Sequence, residues 1–250
     1  MISNKELFEN YHSGKNLTHN VSSIYDKNFI EAKSSTLSKY LKTQNNIILD
    51  LCCGAGDYSR IIDPFSNHYY GVDFSLPMLK EFQYSSLYNK NMQLINSDAN
   101  QMPFENETFD LCFSYSSVYC FDDIPKLLNE INRVLKYNAI AILEFSTKHN
   151  INAFVSNYRA KNDKWAQAFF ISYDDMKNFV EASRFDILEE KNFQFFPVLR
   201  GPWWSIIIAN SFLRPLLKIK YKGKMLDERI SSLKIFKKYS FKHILVLQKK

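Results

Sequence analysis

The chain has 250 residues, 46% apolar and 23% charged, a composition that excludes wholesale disorder and allows one large core with an appended piece. Its four cysteines lack any C-x-x-C spacing, which argues against a zinc or disulfide framework, and no metal site is expected. The net charge of +6 is uneven: 13 Lys and Arg face 2 acids between Val198 and Lys250, while residues 1–197 carry 19 bases and 24 acids.

Residues 1–44 are polar with scattered aromatics. No apolar signal-peptide core opens the chain and no apolar run reaches the ~18 residues of a spanning helix, so a cytoplasmic setting is expected. Within Asn28–Leu41 the apolar residues Phe29, Ile30, Leu37, Tyr40 and Leu41 recur at helical spacing. That helix is read either as a lid over a pocket or as a plain packing helix. From Ile47 strands and helices alternate. Strands are expected at Ile47–Leu51, His68–Val72, Met92–Ile95, Phe109–Tyr115, Ala139–Phe145, Phe185–Phe195 and His243–Leu247. Between them, helices are expected through Ile62 and over Leu76–Tyr88, Ile124–Leu135 and Tyr173–Val180. Such alternation means an α/β sheet with right-handed crossovers, whose ligands bind beyond the carboxyl ends of the strands.

One stretch stands out. Ile47–Tyr58 is an apolar strand that stops at a loop carrying Gly54 and Gly56, after which a helical pattern begins. Glycine there permits φ > 0 and lets a ligand approach the backbone. The other strand ends carry Asp50, Asp73, Asp98, Ser114, Tyr115, Glu144 and Ser146. Any one of these carboxylates alone is better explained as a helix cap or turn residue. Their convergence on one rim points to a binding edge.

These residues resemble the class I S-adenosylmethionine-dependent methyltransferases, in particular the small-molecule group that includes the ubiquinone and menaquinone methyltransferases. The resemblance spans about Asn45–Thr147. It rests on Ile48-Leu49-Asp50 through Gly56, Gly71-Val72-Asp73-Phe74-Ser75 with Met78-Leu79, Asp98-Ala99 with Met102-Pro103-Phe104, Glu130–Lys136, and Leu143-Glu144-Phe145-Ser146. It implies a Rossmann-like seven-stranded, mostly parallel sheet with helices on both faces over residues 45–195 and 241–250. Residues 1–44 would then be a lid and 196–240 an insertion before the last strand. It also implies S-adenosyl-L-methionine as cofactor. Gly54 and Gly56 would let the backbone approach its methionine part, with Asp50 orienting the loop and Ser114 and Tyr115 near the amino-acid end. Asp73 would accept from the ribose hydroxyls, Met78 or Phe74 would pack on the adenine, and Asp98 and the Ala99 N–H would bond it. Cys52 replaces the first glycine of the loop, which is tolerable with φ < 0. Lys136-Tyr137-Asn138-Ala139 replaces the family's Lys-Pro-Gly-Gly turn.

Methyl transfer depends mainly on alignment and the exclusion of water, and it needs a base only if the acceptor must lose a proton. The candidates are Glu144, His149, Tyr115 and Tyr119, with the two tyrosines better suited to pocket walls. The acceptor is expected to be a small or lipid-linked molecule, a quinone being one alternative. A non-catalytic S-adenosylmethionine-binding partner protein is another. The apolar and basic stretch 203–224, from Trp203-Trp204 through Lys218–Lys224, has three readings: a cover for the pocket or a homodimer face, a peripheral membrane contact, or a nucleic-acid surface. No recognised RNA or DNA module accompanies it, which makes the last the weakest.

Overall fold

Strand β1 (Ile47–Leu51) is apolar along nearly its whole length, as required of a strand covered on both faces, and it occupies the middle of the sheet. The computed structural model describes residues 24–41, 46–62, 68–162, 168–196, 216 and 219–250. The remaining strands of the sheet are β2 (His68–Asp73), β3 (Met92–Asn96), β4 (Phe109–Ser114), β5 (Leu135–Ser146), β6 (Phe185–Phe193) and β9 (Lys242–Lys249). Their spatial order is β3-β2-β1-β4-β5-β9-β6. Strands β1 to β5 pair in parallel, and β9 runs antiparallel between β5 and β6. The expected seven-stranded, mostly parallel α/β sheet is therefore present. A separate hairpin joins β7 (Lys220–Tyr221) to β8 (Lys224–Met225).

The helices are α1 (Ile24–Tyr40), α2 (Ser59–Ile62), α3 (Leu76–Tyr84), α4 (Ile124–Val134), α5 (Ile151–Asn162), α6 (Tyr173–Ala182) and α7 (Leu226–Ser231). One core joins Leu49, Leu51, Leu143 and Leu247 of the sheet to Leu128 and Ile131 of α4 and Met176 of α6. The opposite core joins Ile48, Phe113, Ile142 and Val246 to Phe29 and Leu37 of α1 and to Leu79 and Phe82 of α3. Each fully buried Leu or Phe contributes about 1.5–3 kcal/mol against its exposed state. Helix α4 begins where the Asp123 carboxylate accepts the Lys126 N–H at 2.9 Å, and α6 begins with a reciprocal Ser172–Asp175 capping box.

Two expectations change. Helix α3 stops at Tyr84 instead of Tyr88, because the Ser85 hydroxyl donates to Phe82 O at 2.8 Å and then accepts the Leu87 N–H at 3.2 Å. Between α4 and β5 there is no separate turn: β5 starts at Leu135, opposite Phe109, and the register then jumps to Leu111 opposite Ile140. Residues 136–139 form a bulge with Asn138 at φ 60°, held by a Lys136–Asp110 ion pair of 2.9 Å. Most of the tryptophan-containing stretch 203–224, including Trp203 and Trp204, and the first 23 residues of the expected lid lie outside the described residues.

Candidate functional site

At the carboxyl end of β1 the chain enters the glycine loop through Cys52, whose φ of 59° lies in the left-handed region. The expectation of φ < 0 there is wrong, and the conformation costs a residue with a Cβ about 1–2 kcal/mol. The Cys53 N–H donates to Val72 O at 3.0 Å, drawing the loop towards β2. Gly56 has φ 83°, and a Cβ there would sit 2.3 Å from the Phe82 ring, so its glycine is required by packing on α3 more than by a ligand. Gly54, at φ 54°, is half-buried with the Met78 methyl close above it.

Asp73 ties this loop to the turn after β2. One carboxylate oxygen accepts the Gly54 N–H at 2.9 Å and the other accepts the Ser75 N–H at 2.8 Å. Burial pushes the Asp73 pKa up, and the two N–H donors oppose that rise. Asp50 is buried and accepts the Tyr69 hydroxyl at 2.7 Å. Burial raises its pKa to about 8, with the Asp73 and Asp57 carboxylates adding to the rise against the Tyr69 hydrogen bond. Asp50 is therefore largely protonated at neutral pH, and the Asp73 and Asp57 carboxylates are the ones at this loop that suit a cationic ligand.

The loop after β3 joins the same rim. The Ser97 N–H donates to Asp73 O at 3.2 Å and the Asn96 amide to Phe74 O at 2.7 Å. Asp98 is exposed and holds its turn by accepting the Asn100 N–H at 2.8 Å, while Ala99 is buried. Two buried side-chain polar atoms of these turns have no hydrogen bond among the described residues, the Ser75 hydroxyl and the Asn100 side-chain amide Oδ1. Orphaned polar groups beside two carboxylates fit the hydroxyl and amino groups of an adenosine, and the carboxylates at the glycine loop fit the cationic end of S-adenosylmethionine.

On the β4–β5 side, the Ser114 hydroxyl donates to Leu51 O at 2.8 Å and contacts the Ser117 hydroxyl, so it braces the end of β1. Tyr115 is buried, donates its hydroxyl to Lys33 O of α1 at 3.0 Å and packs 4.8 Å from the Tyr58 ring. Burial pushes its phenol well above the usual range, so Tyr115 is a wall and not a base. Glu144 is also removed as a base. Its carboxylate lies fully buried between Lys33 Nζ at 2.5 Å and Lys242 Nζ at 2.7 Å. Burial alone would raise its pKa, but the two ammonium groups outweigh that and hold it at about 2. For Lys33, burial pulls the pKa down despite Glu144. His149 is exposed in the loop after β5. Tyr119 stands beneath Lys242, whose Nζ lies 4.6 Å from its ring centre.

Lys33 and Lys242 were not singled out by sequence reasoning, although each left a signal. Lys33 is four residues from both Phe29 and Leu37, on the apolar stripe of α1. Lys242 opens the row Lys242, Ile244, Val246 that faces α1, where a charge needs a buried partner.

A family model described as a methyltransferase domain matches residues 49–143. A demethylmenaquinone methyltransferase of Staphylococcus carnosus is 29% identical over 171 residues, covering 64% of this chain and 69% of its own. One from Staphylococcus aureus is 30% identical over 114 residues, 44% of this chain, and this chain spans about half of its length (47%). Among solved structures, an S-adenosylmethionine-dependent methyltransferase from Thermotoga maritima superposes with a TM-score of 0.62 at 14% identity, covering 99% of this chain and 100% of that one. One from Mesorhizobium loti gives 0.60 at 13% identity over 86% and 96%. At these identities the superpositions establish the fold; the family model adds a methyltransferase domain over residues 49–143, to which the named relatives are similar. Residues 49–143, from the end of β1 into β5, thus carry a methyltransferase domain, on a fold shared with S-adenosylmethionine-dependent methyltransferases.

Proposed function

We propose that this protein moves the methyl group of S-adenosylmethionine to a small or lipid-linked acceptor seated over the ends of β4 and β5. The observation that carries the reading is Asp73, which joins the glycine loop to the β2–α3 turn through both carboxylate oxygens. Each oxygen keeps a second lone pair with which to accept a ribose hydroxyl. In the same reading Asp98 and the Ala99 N–H bond the adenine, Phe74 and Met78 flank it, and Gly54, Cys52 and Asp50 border the methionine end. Ser114 acts by bracing the loop.

The bound cofactor supplies an electrophilic methyl group on a cationic sulfur. The protein supplies alignment and a dry wall made of Tyr58, Phe113 and Tyr115. Calorimetry tests the reading: Asp73→Asn, which keeps one acceptor oxygen, should weaken S-adenosylmethionine by at least ~1 kcal/mol, and unchanged affinity overturns the assignment.

A quinone-type acceptor is the second reading. Two curated relatives bear the name demethylmenaquinone methyltransferase. The Lys33–Glu144–Lys242 cluster places two ammonium groups on one carboxylate, a surplus of positive charge that suits an acidic oxygen on the acceptor. No side chain of the set is then needed as a strong base, since an acidic hydroxyl ionises in response to the lysines.

A further inference from the structure

The segment from Ile219 to Tyr239 holds only two acids, Asp227 and Glu228, and both are turned inward. Asp227 accepts the Gln194 and Phe196 N–H groups at 2.6 and 3.2 Å. What remains outside is basic and apolar. At the β7–β8 hairpin, Ile219, Tyr221, Lys220, Lys222 and Lys224 are exposed. After α7, Leu233, Lys234, Ile235, Lys238 and Tyr239 are exposed, Ile235 by 68%. Scattered exposed apolar residues are ordinary on a protein surface, but here they recur in two loops that bracket one short helix, each loop interleaved with lysines.

The second loop is fixed to the binding edge. The Thr147 hydroxyl at the end of β5 donates to Ser240 O at 2.6 Å, and the Asn150 amide donates to Tyr239 O at 2.5 Å. Helix α5 starts just after Asn150 and exposes Ile151 and Phe154 one turn apart, Phe154 by 71%. Three residues beyond Tyr239, Lys242 reaches Glu144. We propose that the face formed by residues 219–224 and 233–239, continued by the start of α5, docks on an anionic lipid bilayer, which would bring the acceptor end of the sheet against the membrane.

Charge and side-chain type favour lipid over nucleic acid. Leucine, isoleucine and phenylalanine enter the acyl boundary while lysines meet anionic headgroups. A nucleic-acid face would use its aromatics for stacking and would gain nothing from exposed Leu233 or Ile235. Some of the charge is already spoken for: Lys220 pairs with Glu31 of α1 at 2.7 Å and Lys237 with Glu190 at 3.5 Å. Lys222, Lys234 and Lys238 carry the attraction. Among the described residues no helix is long and apolar enough to cross a membrane. The surface stands on its own residues; only its link to acceptor delivery rests on the methyl-transfer reading.

The test is co-sedimentation of the full chain with vesicles of phosphatidylcholine alone and of phosphatidylcholine mixed with phosphatidylglycerol, alongside a single-stranded RNA oligonucleotide. The protein should sediment with the mixed vesicles, lose that binding in high salt, and bind the neutral vesicles at least about tenfold more weakly. Lys234→Glu with Lys238→Glu, and separately Leu233→Ser with Ile235→Ser, should each weaken binding about tenfold, since both pairs are exposed and should leave the fold intact. No sedimentation, equal binding to both vesicles, unaffected variants, or tighter binding to the RNA would overturn the proposal. S-adenosylhomocysteine titration of the same preparations separates the two claims. Cofactor binding without vesicle binding sinks only the surface, and vesicle binding without cofactor binding sinks only the enzyme.

Discussion

Replacing Glu144 with glutamine should cost about 3 kcal/mol at pH 7. The carboxylate is fully buried and meets Lys33 and Lys242 at 2.5 and 2.7 Å, and its pKa is held at about 2 against an ordinary 4.5. At 1.36 kcal/mol per pH unit, that lowering of roughly 2.5 units corresponds to ~3 kcal/mol of stabilisation. Removing one partner of a buried pair costs about 3–5 kcal/mol in general, which agrees. The folded pKa is depressed, so the contribution is whole above the unfolded value of 4.5 and is lost as pH falls from there towards 2. Urea unfolding of Glu144→Gln and the parent protein across that range measures it. The gap should be about 3 kcal/mol at pH 7 and should shrink steadily below pH 4.5. A gap near zero at neutral pH, or one that does not change with acid, would refute the idea that the lysines hold Glu144 ionised.

Asp50 should behave in the opposite way. Its folded pKa is raised to about 8, so the unfolded chain sheds that proton first and the cost of keeping Asp50 grows as pH rises from 3.8 to 8. Asp50→Asn, which can still accept from Tyr69, should therefore raise stability by roughly 2–4 kcal/mol at pH 7 while weakening S-adenosylmethionine; a less stable variant in urea unfolding contradicts this. Gly56→Ala meets the Phe82 ring at 2.3 Å from a backbone at φ 83°, and a loss of at least about 1–3 kcal/mol should lower its melting temperature. Asp73→Ala strands the Gly54 and Ser75 N–H groups, so it should lose thermal stability as well as cofactor affinity, the affinity by more than ~1 kcal/mol.

Sheet and rim were readable because their cause is local. The apolar face of α4, the continuous apolar run of β5 and the acids closing β1, β2 and β3 each announce themselves over a few residues. The remainder depends on partners far along the chain. Nothing near Glu144 reveals that Lys33, 111 positions earlier, and Lys242, 98 later, will enclose it and end its candidacy as a base. The left-handed Cys52 is likewise set by tertiary context, since Cys53 is drawn to Val72 and Gly54 to Asp73. Ser85 ended α3 early through a single hydroxyl, a signal that Leu87 and Tyr88 had masked in the apolar pattern.

The central claim is that the rim of Asp50, Gly54, Asp73 and Asp98 binds S-adenosylmethionine. Calorimetric titration of the full chain with S-adenosylmethionine and S-adenosylhomocysteine tests it most directly. One-to-one binding of both, with dissociation constants on the order of micromolar and both weakened by Asp73→Asn, is the predicted result. Absence of binding by either, from protein whose unfolding remains cooperative, would contradict it.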